Sequence, residues 1–247
     1  MPDRMPRPRL LPAVRRYWSG LARSSGRLSA TVTLISRLWE FLRDSTPSRL
    51  RQRYGDADYD WDYRVNTTSA AVGWRDRMLG VFHSPYQPTD PALFHEMLDG
   101  LKEQQHLDYR EFTFVDLGSG KGRTLLMASD YPFRRIVGVE LLPALEQMAQ
   151  ENLGRYKSES QQCFALESIC ADAATFPLPQ EPLLLYLFNP FPENDLRKFL
   201  HHLDQSLQHC PRPVFVLYHN PLLQHVLGEF GFLQKVGGTH QYSVFRG

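Results

Sequence analysis

Phe114-Val115-Asp116-Leu117-Gly118-Ser119-Gly120-Lys121-Gly122-Arg123 is the stretch on which the fold turns. An apolar run from Phe112 to Leu117 takes in an acid near its end and enters a loop with glycine at every second position; Arg123 to Ser129 then has helical spacing. Strand, glycine turn and helix in that order open a doubly wound α/β sheet, in which ligands bind beyond the carboxyl ends of the strands. Gly118, Gly120 and Gly122 permit a tight turn and let a ligand approach backbone where a Cβ would clash. The helix starting near Lys121 points its free N–H groups at the same spot.

Outward from this loop the strand and helix patterns alternate. Ile136 to Glu140 reads as a strand, Pro143 to Leu153 as a helix with Leu145, Met148 and Ala149 inward, and Phe164 to Cys170 as a weaker strand. Leu183 to Phe188 is wholly apolar, as in a parallel strand covered on both faces. Leu196, Phe199, Leu200, Leu203 and Leu207 define one helical face, Val214 to Tyr218 another buried strand, and Leu222 to Phe230 another helix. Two short runs around Gly237-Gly238, within Gly231 to Phe245, suit a terminal antiparallel hairpin. The predicted class is α/β, a doubly wound, mostly parallel sheet with a C-terminal antiparallel hairpin, preceded by a basic helical N-terminal extension.

Toward the N-terminus, Asp90 and Pro91 supply an N-cap and a first-turn proline for a helix through Leu93, Phe94, Met97, Leu98 and Leu101. Tyr54 to Tyr63 alternates acidic and aromatic residues without an apolar face, and reads as a loop or lid. It is either a surface connection whose aromatics pack back on the body or a substrate-binding element. Leu28, Val32, Ile35, Leu38, Trp39 and Leu42 recur at helical spacing, predicting an amphipathic helix that ends before Pro47. Met1 to Pro12, rich in Pro and Arg, is predicted to be disordered. The resulting divisions are an extension over 1–53, a linker or lid over 54–85 and a catalytic domain over 86–247.

Charge separates these parts. Residues 1–53 hold twelve arginines against Asp3, Glu40 and Asp44, a net of +9 in a chain whose total is +1, which leaves −8 for the rest. A basic arm on an acidic body fits attraction to anionic lipid or nucleic acid, an arm that wraps its own domain, or an organelle transit peptide. At 42% hydrophobic and 22% charged the chain sits in the globular range, and no apolar run is long enough to span a bilayer. Cys163, Cys170 and Cys210 share no metal-ligand spacing, and the histidines form no HxxxH or HExxH pattern; His201, His202 and His209 fall on one helix and are expected to face solvent. The expectation is a cytoplasmic protein without a metal, with peripheral membrane contact or organelle targeting through the arm as alternatives.

The loop's spacing narrows its ligand. A dinucleotide fingerprint reads GxGxxG, whereas this loop reads GxGxG behind an acid, Asp116. Pyrophosphate has no use for a carboxylate there; a ligand with an ammonium group does. Gly120-Lys121-Gly122 does not supply the GKS or GKT of a Walker loop. Glu140, ending Gly138-Val139-Glu140, suits both hydroxyls of a ribose, and Asp172 in Ala171-Asp172-Ala173 suits an exocyclic adenine amine. Three acids at the ends of three successive strands match an amine, a ribose and an adenine in turn.

On these residues, from about 86 to 247, the chain resembles the class I, Rossmann-like S-adenosylmethionine-dependent methyltransferases. The motifs are the Phe114 to Gly120 loop, Gly138-Val139-Glu140, Asp172 and Asn189-Pro190-Phe191. The resemblance implies S-adenosyl-L-methionine as cofactor, with Asp116, Gly118, Ser119, Gly120 and Gly122 on its methionine part, Glu140 on the ribose, and Asp172 with Ala173 on the adenine. Tyr86 to Thr89 resembles the segment that closes over the donor in some non-SET lysine methyltransferases. Asn189-Pro190-Phe191 is similar to the N-P-P-[FY] loop of amino-group methyltransferases with one proline missing. That implies an amino nitrogen, on protein lysine or a small molecule, as acceptor. Asn189-Pro190 alternatively caps the next helix. Tyr218, His219 and Asn220 close the fifth strand and could line the same cleft, with His219 either a base or a hydrogen-bonded structural residue. The rival functions are a donor-binding scaffold without turnover and a nicotinamide-dependent oxidoreductase.

Overall fold

A computed structural model of the chain describes residues 10–44, 57–67 and 88–247. Tyr86 and the segment Tyr54 to Asp56 lie outside the described residues. Two helices, α1 (Leu10–Ser25) and α2 (Arg27–Asp44), and a short α3 (Ala57–Tyr63) precede α4 (Pro91–Gln105). There follow β1 (Thr113–Leu117), α5 (Arg123–Ala128), β2 (Arg135–Glu140), α6 (Pro143–Arg155), β3 (Leu166–Cys170) and β4 (Leu183–Leu187). The chain closes with α7 (Glu193–His209), β5 (Val214–His219), α8 (Gln224–Gly228), β6 (Gln234–Gly238) and β7 (Tyr242–Arg246).

The strands form one sheet in the order β3-β2-β1-β4-β5-β7-β6. β1 to β5 are parallel; β7 enters antiparallel beside β5 and pairs with β6 as the expected hairpin. β1, β4 and β5 are buried along their whole length, as continuous apolar runs should be when helices cover both faces. β3, at one edge, is only half-buried, with Glu167 exposed, which explains its weaker apolar signal. Phe164, expected in that strand, lies before it and is 78% exposed.

Period-2 alternation sorts the core into two layers. Phe114, Ile136, Leu184, Tyr186 and Leu217 face α4 and α5 with Phe94, Met97, Leu98 and Leu125. Val115, Val137, Leu185 and Val216 face α7 and α8 with Leu196, Phe199, Leu200, Leu203 and Val226. Asp90 caps α4 as expected, its Oδ1 accepting from Leu93 N at 2.9 Å, with Pro91 in the first turn.

Several expectations need correction. Ala57–Tyr63 is a helix and not a loop. Alternation along the chain hid a pairing across one helical turn: Tyr59 and Tyr63 meet at 4.8 Å, and Tyr63 packs on Tyr156 of α6 at 5.2 Å. Leu10 to Pro12 belong to α1 and are not disordered; α1 and α2 join at Gly26, whose φ of 83° no β-carbon tolerates cheaply. The helix expected over Leu222 to Phe230 spans only Gln224–Gly228. His202 does not simply face solvent, since its Nε2 lies 2.9 Å from the Phe176 carbonyl oxygen. The three cysteines are free thiols.

Candidate functional site

The strand order reverses between β1 and β4, so the crevice beyond their carboxyl ends is the place where a doubly wound sheet receives a ligand. The loop after β1 and the loop after β4 form its two lips. Gly118, Gly120 and Gly122 have φ of 88°, 56° and 81°, all in the left-handed region. A Cβ on Gly118 would lie 2.8 Å from Pro190 Cβ, so the lips touch only because the residue is glycine. Gly118→Ala should therefore cost about 1–2 kcal/mol of left-handed strain and force Pro190 away. The expected result is a fall of roughly tenfold in ligand affinity, about 1.4 kcal/mol, with the sheet's circular dichroism unchanged.

Register explains how the acids come together. Asp116 stands opposite Gly138 on one side and Tyr186 on the other, all on the face toward α4 and α5. Gly138 leaves the room into which Ser119 folds: a Cβ there would sit 2.7 Å from Ser119 Oγ. Asp116 is buried and accepts from the Thr124 hydroxyl of α5. Burial pushes its carboxyl from 3.8 up to about 7, the Thr124 bond pulling it back and the Glu140 charge adding to the rise. Glu140 spans the loop base: Oε2 accepts from Gly120 N at 2.9 Å and Oε1 from Leu142 N at 2.8 Å. Burial raises its carboxyl too, against those backbone bonds. Asp172 is exposed at the rim, Oδ1 accepting from Ala174 N at 2.9 Å, and Ala173 beside it is buried.

The strand order places a glycine lip at β1 and acids at the ends of β1 and β2 and just after β3, with β7 reversed between β5 and β6. The fold is the doubly wound, mostly parallel α/β sheet with a C-terminal antiparallel hairpin that the sequence predicts. No protein-family model matches the chain, and no curated protein matches it. Among solved structures it is similar to an S-adenosylmethionine-dependent methyltransferase of Leishmania major, at 14% identity over 63% of this chain and 72% of that one, TM-score 0.44. It is also similar to an RNA methyltransferase of Salinibacter ruber solved with S-adenosyl-L-homocysteine, at 20% identity over 65% and 92%, TM-score 0.40. A ribosomal protein L11 methylase of Lactobacillus delbrueckii gives 13% identity over 66% and 89%, TM-score 0.43.

The β4 lip of the crevice is tightly bound. Asn189 and Asn220 both adopt φ of 48°, and Asn189 Nδ2 donates to Asn220 O at 2.8 Å. Tyr218 Oη donates to Asn189 Oδ1 at 2.8 Å and accepts from Leu223 N at 3.3 Å. Two non-glycine residues held in the left-handed region cost of order 1 kcal/mol each, and such strain gathers at functional sites. Asn189 does not cap α7; that position falls to Pro192. Phe191 stacks on Phe199 at 5.5 Å, in the layer toward α7, so its ring serves packing.

A row of polar groups runs beneath, in which Tyr186 joins Thr89 and His219. The hydroxyls of Thr89 and Tyr186 lie 2.9 Å apart, and Tyr186 Oη lies 2.8 Å from His219 Nδ1. His219 stacks on Phe188 at 4.0 Å; burial lowers its imidazole to about 4, against the pull of Asp90, so it is neutral at pH 7. Tyr186 escaped notice because it reads as one more apolar residue in Leu183 to Phe188. No cluster of metal-ligating side chains occurs among the described residues.

Proposed function

We propose that this chain transfers a methyl group from S-adenosyl-L-methionine to an amino nitrogen, on protein lysine or a small-molecule amine. The observation that carries the donor assignment is the line of acids at the ends of β1, β2 and β3 beside three left-handed glycines. The residues fit the donor on their own chemistry. Asp116 is a buried carboxyl raised to about 7, which an ammonium would return to its ionised form. Ser119 Oγ is a buried hydroxyl without a protein partner, and the loop leaves no Cβ at three alternate positions. Asp116 and the glycine backbone would hold the amino-acid end, Glu140 the ribose hydroxyls, and Asp172 with Ala173 the adenine. When bound, the sulfonium supplies an activated methyl group, so the protein's work is alignment and exclusion of water.

Asn189 is the positioned acceptor for the incoming amine. Tyr218 and Asn220 fix its amide orientation, and its oxygen, with one bond from Tyr218, keeps a second lone pair for an N–H. His219, neutral in its buried site, adds no positive charge against an amine. Incubating the chain with methyl-labelled donor and cell extract should put label into protein or small amines in a base-stable form. Label confined to RNA would replace the acceptor, and label nowhere alongside intact donor binding would leave a silent donor-binding scaffold.

The arm is a separate surface, for which we propose an anionic membrane. Ala30 of α2 is buried toward α1, and Trp18 Nε1 of α1 donates to Thr31 Oγ1 at 3.2 Å. On the opposite face Leu28, Val32, Ile35 and Trp39 form an exposed apolar stripe. Nucleic acid has no use for the stripe, and a +9 arm supplies attraction to anionic headgroups around it. Sedimentation with phosphatidylglycerol vesicles should show salt-sensitive binding that Ile35→Asp reduces at least tenfold. Equal binding to neutral vesicles, or none to either, would contradict it. No described helix is long and apolar enough to cross a membrane.

A further inference from the structure

Lys121 and Arg123 flank Gly122 in the donor loop, and both side chains are wholly buried, at 0% and 1% exposure. Two cations in the interior are costly unless paired, and here their partners come from far back in the chain. Arg123 Nε donates to Thr67 Oγ1 at 2.6 Å, its Nη2 lies 3.4 Å from Asp60 Oδ1, and its guanidinium lies 4.8 Å over the Tyr59 ring. Asp60 also accepts from Thr67 N at 2.8 Å and from the Thr67 hydroxyl. Lys121 Nζ donates to Asn66 Oδ1 at 3.2 Å.

Asn152 of α6 ties these pieces to the loop's backbone. Its Oδ1 accepts from Asn66 N at 2.8 Å, while Nδ2 donates to Asn66 O at 3.0 Å and to Lys121 O at 2.9 Å. The Lys121 carbonyl lies between the two left-handed residues Gly120 and Gly122. The bonds to Asn66, Thr67 and Asp60 therefore act on the part of the loop with the least conformational preference of its own, since glycine visits both signs of φ freely. A plain surface connection between arm and domain has no need to pair a buried Arg and a buried Lys with a half-buried Asp.

We propose that Asp60, Asn66 and Thr67 are positioning residues for the donor loop, acting through Arg123, Lys121 and Asn152. Residues 57–67 thus form a strap belonging to the donor site, and the loop keeps its ligand-binding shape only while the strap is seated. The inference rests on the donor reading for its consequence in affinity, but its first consequence, a stiffened loop, is visible without any donor.

The test uses the full chain with Asp60→Asn, Thr67→Val and Thr67→Ser. Amide hydrogen exchange is followed at Gly118 to Arg123 and, as a control, in β4 and β5. The first two variants should speed exchange in the loop at least tenfold while the control strands stay as in the parent, and Thr67→Ser should restore the parent pattern. Titration with S-adenosyl-L-homocysteine should show affinity reduced about tenfold in the same two variants, and the KM for the donor should rise with kcat held. Unchanged loop exchange, or exchange raised equally through the sheet, would overturn the proposal. Failure of the parent chain itself to bind the donor product would sink the donor reading and leave the exchange result standing.

Discussion

Asp116→Asn should weaken donor binding by about a hundredfold at pH 8, the scale expected when one partner of a buried ion pair is removed, while making the donor-free protein more stable. The two effects have one cause. In the folded chain burial holds the Asp116 carboxyl at about 7, above its ordinary 3.8. A raised carboxyl favours folding below its unfolded value and loses that contribution as pH climbs through the folded value, here between about 4 and 7. At pH 8 the wild-type site therefore carries an ionised carboxylate that burial disfavours. Asparagine keeps an acceptor for the Thr124 hydroxyl and has no charge to desolvate. Donor binding brings an ammonium that wants the ionised form, so wild-type affinity should rise about tenfold per pH unit below 7 and level off above it. Calorimetry at pH 6 in buffers of different ionisation enthalpy should register proton release on binding. The asparagine variant should lose both the slope and the release; an unchanged slope in that variant would assign the proton to another group.

Glu140→Ala should be the most damaging single change. The carboxylate receives the backbone N–H of Gly120 at 2.9 Å and of Leu142 at 2.8 Å, so it links the glycine loop to the start of α6. Alanine leaves both donors buried and unmatched, at about 1–3 kcal/mol each, and removes the charged acceptor proposed for the ribose hydroxyls. Thermal melting should fall by several degrees, and donor affinity should drop by more than a hundredfold, about 2.7 kcal/mol. Glu140→Gln separates the two roles. It keeps one carbonyl oxygen, so stability should recover in part while donor affinity stays low. Equal affinity in glutamine and wild type would confine Glu140 to holding the loop.

The glycine loop was readable in the sequence because everything that shapes it is local. Asp116, the alternate glycines and the apolar run before them lie within ten residues, and φ between 56° and 88° at all three glycines answers to their identity alone. Glu140 was placed correctly at a strand end, but its bonds to Gly120 and Leu142 depend on β1 and β2 lying side by side. The strap was illegible for the same reason. Arg123 meets Thr67 and Asp60 across 56 and 63 residues, and Asn152 meets Asn66 across 86. One sign was present, two cations flanking Gly122 at the start of a helix, and it was absorbed into the glycine motif. Asn189-Pro190-Phe191 shows the opposite case. Its pattern suggested an acceptor-binding loop; Phe191 packs on Phe199 and Pro190 abuts Gly118, and Asn189, oriented by Tyr218, is the group proposed to meet the amine.

The central claim is that the loop from Asp116 to Gly122 receives S-adenosyl-L-methionine. Its most direct test is calorimetric titration of the full chain with S-adenosyl-L-methionine, and separately with NAD, at pH 8, repeated on Gly118→Ala. One molecule of donor bound per chain, weakened about tenfold in the variant, with no heat from NAD, is the predicted result. Binding of NAD in place of the donor, or donor binding that Gly118→Ala leaves untouched, would contradict it.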